Sequence, residues 1–149
     1  MSKEHSIDSN TAPYAAFVLR VSLGVMFIAH GLLKVMVFTP AGTVKFFESI
    51  GLPGPLAYAV ITAELAGGVL ILLGVYSRWV SAALVPVLLG ALSVHAGNGW
   101  LFTSPGGGWE YPLFLATTAM AQALLGDGKF ALANIFSSGP ARQRMMQAA

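Results

Sequence analysis

Four long apolar stretches, set off from one another by Gly- and Pro-rich segments, leave this chain few ways to fold. They run from about 15 to 37, 56 to 75, 79 to 96 and 109 to 126. A bilayer core of about 30 Å takes roughly 20 helical residues, so each stretch is long enough, or nearly so, to cross as a helix. Alternation with period two, which a membrane barrel needs for its lumen face, is missing. The pattern predicts an all-α, transmembrane four-helix bundle with antiparallel, up-down neighbours.

Composition points the same way. Apolar residues make up 56% of the chain and charged residues 9%, against roughly 25% charged in a soluble domain. A water-soluble domain of this size buries only about 60–70% of its chain's surface and could not hide that much apolar area. Lipid resolves the mismatch. The net charge of +2 comes without a basic stripe interleaved with aromatics, which argues against a nucleic-acid partner. Cysteine is absent, which excludes disulfides, thiolate nucleophiles and cysteine-ligated clusters within these residues.

The expected organisation has three parts. Residues 1–13 form a polar cytoplasmic tail, 14–128 the four-helix transmembrane domain, and 129–149 an interfacial segment with a basic cytoplasmic tail. The first apolar run is longer than a signal-peptide core and no small-residue cleavage site follows it, so it reads as a retained span. Pro55 suits a first helical turn. Gly74 to Arg78 is so short that the second and third spans must be antiparallel neighbours. Lys3, Arg78, Lys129, Arg142 and Arg144 fall on one side of the membrane and Lys45 on the other, which places both termini in the cytoplasm. The loops carrying Lys45 and Trp100 then face outward, with Trp100, Trp109 and Tyr111 in an aromatic belt.

Chemistry resides in the few ionisable residues inside the spans. Arg20, His30 and Lys34 lie in the first apolar run. Each costs at least ~2.5–3.5 kcal/mol near a helix centre unless it finds a partner or water. At about 100° per residue, Lys34 projects within roughly 40° of Arg20 and His30 within about 80°, and Gly24, Phe27 and Gly31 share that arc. Glu64, beside Gly67 and Gly68, is the acid near the midplane, and depth makes Arg20 its expected partner. His95 and Glu110 match the depth of Lys34. Arg20, His30, Lys34, Glu64, His95 and Glu110 thus form a candidate polar column with no metal set. Bland readings stand beside it: an ion pair as internal glue, Lys34 snorkelling to the interface, His30 as a core histidine, Glu110 as a helix N-terminal acid. Haem ligation by His30 and His95 suffers from their unequal depths.

Several of these residues form a combined pattern. It comprises Arg20, Gly24, Phe27, His30-Gly31 and Lys34; Gly51-Leu52-Pro53; Glu64, Gly67-Gly68, Leu72, Gly74 and Arg78; His95; and Gly108-Trp109-Glu110-Tyr111-Pro112-Leu113. Together these resemble the DoxX family of four-span bacterial membrane proteins, over about residues 18 to 132. The family's closing segment usually reads Gly-Pro-Gly and then Ser-Leu-Asp, whereas this chain has Gly126-Asp127-Gly128 and Ala131-Leu132-Ala133. The resemblance implies a four-helix bundle in the cytoplasmic membrane and an association with redox chemistry. The family takes its name from a terminal oxidase component, and a related branch belongs to a thiosulfate:quinone oxidoreductase. Other members are tied to oxidative-stress complexes or copper handling.

Three functions compete. The first is an accessory or quinone-contacting subunit of a membrane-bound redox complex, respiratory or linked to sulfur or oxidative stress. In it His30 and Lys34 donate to the quinone carbonyls, Glu64 exchanges protons, and His95 and Glu110 relay them outward. No cofactor motif is intrinsic to the chain, so electrons would come from a partner protein. The second is a purely structural membrane subunit of a larger assembly. The third is a small-solute or metal-ion transporter, for which four spans without repeats or broken helices are lean.

Overall fold

The computed structural model describes residues 8–137. Lys3, Arg142 and Arg144, on which part of the orientation reading rests, lie outside them. Every regular element among the described residues is helical: α1 (Ala12–Met36), α2 (Pro40–Ser49), α3 (Leu56–Leu73), α4 (Ser77–His95) with a 3-10 turn at Ala96–Asn98, α5 (Glu110–Leu125) and α6 (Leu132–Ser137).

Three of these are long and apolar enough to cross a membrane: Ala12–Met36, Leu56–Leu73 and Ser77–Asn98. The fourth apolar stretch yields α5, of 16 residues, about 24 Å at 1.5 Å per residue. Its start is tied back to the preceding loop, where Trp109 N–H donates to Gly99 O and Glu110 N–H to Trp100 O.

Local chemistry sets the helix ends. The α3 helix ends at Gly74, in the left-handed region at φ 72°, with the Gly74 and Val75 N–H groups closing back onto Ile71 and Leu70 carbonyls. This caps carbonyls that would otherwise be orphaned. A side chain at Gly74 would also collide with the Arg20 guanidinium. Asp127 Oδ1 accepts from Ser77 N–H at 2.8 Å, satisfying one free donor at the start of α4.

The segment between the first two spans was expected to be a loop, yet residues 40–49 are helical. Thr39 Oγ1 accepts from Gly42 N–H at 3.1 Å and Pro40 opens the helix, a side-chain cap followed by proline at the first helical position. Thr43 and Phe47, one turn apart, are buried and tie α2 to the rest. Lys45 therefore sits on a packed helix rather than in a loop.

The α1 helix packs on α3 and α5, and α4 packs on α3 and α5. Apolar attraction cannot drive such contacts in lipid, so close fit has to. At the α1–α3 seam a Cβ added to Gly24 would stand 2.8 Å from Leu72 N, and one added to Gly68 would stand 2.9 Å from Ile28 N. Only glycine allows the two backbones this near. Between all four long helices lies an apolar core of Leu23, Phe27, Ile71, Leu84, Leu88, Leu115, Ala116 and Ala119.

Candidate functional site

The polar residues of the sequence reading do not form one column: His30, Lys34 and Glu64 gather on one side of the apolar core, Arg20 lies on the other, and His95 and Glu110 bind the loop before α5. In the first group, Lys34 reaches Glu64 from the last turn of α1, its Nζ 2.7 and 2.8 Å from the two carboxylate oxygens. Glu64 is 5% exposed. Next to them on α1, His30 is half-buried, its Nε2 3.5 Å from Tyr111 Oη, and the two rings stack 5.8 Å apart. The Tyr111 hydroxyl also approaches Met26 Sδ at 3.7 Å. His30 and Glu64 are the polar walls of a small, partly open cavity of about 10 Å³, otherwise lined by Leu, Met and Phe side chains from α1, α4 and α5.

Arg20 belongs to the second group, and its expected pairing with Glu64 is corrected. Its side chain donates to Leu72 O at 2.9 Å, Ile71 O at 3.4 Å and Lys129 O at 3.2 Å, and the guanidinium lies 5.4 Å from the centre of the Phe17 ring. The cause is depth. Arg20 sits level with the C-terminal end of α3, where free carbonyls and the negative end of the helix dipole already offer a cation its partners. Glu64 lies two turns earlier on α3, where Lys34 meets it first. Among the described residues four buried polar atoms have no protein partner: Arg20 Nε, Ser77 Oγ, Ser81 Oγ and Gln122 Oε1.

His95 and Glu110 do not join the first group's ion pair. His95 Nδ1 lies 3.1 and 3.0 Å from the Gly106 and Gly107 carbonyls, which Asn98 Nδ2 also binds. Glu110 Oε1 accepts from Phe102 N–H at 2.8 Å. Both hold the loop between α4 and α5. With His30 on Tyr111 and His95 on loop carbonyls, the two imidazoles do not face a common metal. Among the described residues no group of three or more His, Cys, Asp or Glu side chains could hold a metal ion.

That loop and α5 border a larger, open groove of about 450 Å³, lined by Trp100, Phe102, Tyr111, Leu113 and Phe114, with Glu110 and Thr117 as its polar side chains. Its size lies in the ~300–1,000 Å³ range of small-molecule sites. Trp100 is buttressed edge-on by Trp109, ring centres 4.4 Å apart. Tyr111 therefore does two things: its ring walls the groove, and its hydroxyl meets His30 in the interior. Sequence reasoning placed it in the aromatic belt alone. The available signal was its spacing: next to Glu110 and one residue before Pro112, it opens a helix that must face α1.

Comparisons with known proteins place the chain in a family. The Bacillus subtilis (strain 168) protein named "Putative oxidoreductase CatD" is 43% identical over 75 residues, which is 50% of this chain and 54% of that protein. The chain thus spans about half the length of the curated relative it matches. No solved structure matches. The model of the DoxX family matches residues 15–97, more than half of the chain and all of α1 to α4 apart from the first three residues of α1. With its apolar helices in contact with the lipid bilayer, this chain is a membrane protein of the DoxX family.

Proposed function

We propose that the chain is an accessory subunit of a membrane-bound redox complex, respiratory or linked to sulfur or oxidative stress, and that it holds a quinone headgroup in the groove between the α4–α5 loop and α5. The observation that carries the reading is the groove itself: a ring-sized space with aromatic walls, sharing Tyr111 with a buried set of titratable side chains. A quinone ring stacks on flat aromatic walls, and such pairs contribute ~0.5–1.5 kcal/mol each beyond their buried area. Glu110 offers an acceptor to the hydroxyl of the reduced ring. When bound, a quinone supplies the exchange of electrons and protons. The chain's residues position the ring and hold a proton, and a partner protein supplies or accepts the electrons. The cavity beside His30 and Glu64 has room for a water and not for a ring, so contact moves from His30 and Lys34 to the groove.

In this reading α5 is a fourth, short crossing, and the long helices form an antiparallel bundle in the bacterial inner membrane with both termini cytoplasmic. Support comes from the contacts of Gly24 with Leu72 and of Gly31 with Leu65, and from Arg78 and Lys129 lying at the end opposite Lys45. The described core favours a closed subunit over a solute or metal-ion passage, because Leu23, Phe27, Leu84 and Leu115 block the path between the two polar groups. A purely structural subunit is the second reading, favoured by Lys34 and Glu64 satisfying one another.

A photoactivatable benzoquinone probe in proteoliposomes tests the proposal. Labelling is expected within residues 100–117, competed by unlabelled quinone and reduced by Phe114→Ala. Labelling spread over lipid-facing positions of α1 and α3, without competition, contradicts it.

A further inference from the structure

The small, partly open cavity bounded by His30 and Glu64 measures about 10 Å³. A buried water needs roughly 10–15 Å³ on this measure and two to four polar partners. Both requirements are close to met, and the partners have capacity to spare. Each Glu64 oxygen takes one contact from Lys34 and a carboxylate has about four acceptor positions, while His30 engages Tyr111 through Nε2 and keeps its other ring nitrogen. We infer that this cavity is a single-water site held by His30 and Glu64, and that the water completes a proton path from Tyr111 to the Lys34–Glu64 pair.

The inference rests on the groove reading above and adds the route by which a bound ring exchanges its proton. The groups facing the path are few: His30 and Lys34 on α1, Glu64 on α3 and Tyr111 on α5, with α4 contributing the apolar Leu88. In the inward direction the Tyr111 hydroxyl, carried on a ring that lines the groove, passes its proton to His30 Nε2 and would recover one from a hydroxyl donor bound on the groove side. His30 gives the proton on its other nitrogen to the water, and the water gives one of its own to Glu64. One proton would then have moved from the groove side to the Glu64 carboxylate, which becomes neutral, and no electron has moved. The 3.5 Å contact between Tyr111 and His30 is of the length that tightens when a ligand completes the site. Lys34, released from its partner, is left a charge whose side chain is already 20% exposed.

Two measurements on the full chain in nanodiscs test this. Water-to-ring magnetisation transfer at His30 is expected to reveal a long-lived water, lost in Glu64→Leu. A dry cavity overturns the proposal whatever the ligand does. Infrared difference spectra on adding a short-chain benzoquinol are expected to show a new carboxylic-acid band, shifted in D2O and absent from Glu64→Gln. In His30→Phe the band should disappear while quinol affinity changes less than twofold. Should that variant not assemble, His30→Gln keeps hydrogen bonding without a titrating nitrogen and is expected to lose the band too. Quinol binding without the band, or a band that survives loss of His30, overturns the path and leaves the groove standing. Failure of quinol to bind removes both.

Discussion

Lys34 Nζ stands 2.7 Å from Oε2 and 2.8 Å from Oε1 of Glu64, joining the last turn of α1 to the middle of α3 in apolar surroundings. Removing one member of a buried pair strands the other, at about 3–5 kcal/mol, whereas replacing both with apolar residues is often neutral. Glu64→Leu and Lys34→Met singly are therefore expected to lower the thermal midpoint in detergent strongly, and the double variant to recover most of it. Additive losses in the double variant would show that the two groups do not depend on each other.

Arg20 joins α1 to the end of α3 and to the segment after α5 through three carbonyls. A planar fork makes these contacts and an ammonium cannot, so Arg20→Lys should rescue little of what Arg20→Leu loses. Hydrogen bonds from a charged group contribute ~1.5–3 kcal/mol each. The expected result is a loss of about 2–4 kcal/mol in both variants, with faster proteolysis after residue 125. Equal stability of Arg20→Lys and wild type would contradict this role.

The glycine seam makes a sharper demand. Gly24 and Gly68 bring α1 and α3 so close that a Cβ would meet backbone atoms at 2.8 and 2.9 Å. Overpacking costs ~1–3 kcal/mol and sometimes more. Gly24→Leu and Gly68→Leu are expected to disrupt the fold in denaturant titrations, while Gly90→Leu, where nothing lies within 4 Å of the added Cβ, should fold as wild type. Indifference to Gly24→Leu would mean the helices do not meet here.

Much of this was readable because the bilayer imposes simple rules. Apolar length and Gly/Pro punctuation led to the long helices, and positions that lipid penalises led to Arg20, His30, Lys34 and Glu64. Partner choice was not readable. Depth along a helix cannot distinguish a side chain that meets a carboxylate from one that meets free carbonyls at a helix end, and Arg20 took the carbonyls. The α2 helix escaped because its signal is a cap and a proline, Thr39-Pro40, with no long apolar run. His95 and Glu110 were placed by depth alone, but a loop folded back over the end of α4 gave them backbone partners. Tyr111 escaped because a tyrosine near a membrane surface already has an ordinary explanation.

His95 and Glu110 should act on the loop before they act on any ligand. Losing a hydrogen-bonded cap costs about 1 kcal/mol, so His95→Ala and Glu110→Ala are each expected to lower stability by roughly that amount. Amide exchange should quicken at Ser104 and Gly107 in the first variant and at Phe102 in the second. A large stability loss with unchanged exchange there would assign these residues to the interior instead.

The groove is tested most directly by Trp fluorescence, since Trp100 lines it and Trp109 packs against Trp100. Titrating a short-chain benzoquinone into the purified protein is expected to quench emission saturably. Trp100→Phe should lose most of that quenching, and Phe114→Ala should weaken affinity about tenfold, equivalent to ~1.4 kcal/mol. Quenching that rises without saturation, equally in wild type and Phe114→Ala, would mean the quinone only partitions into the surrounding detergent or lipid and that this groove binds no ring.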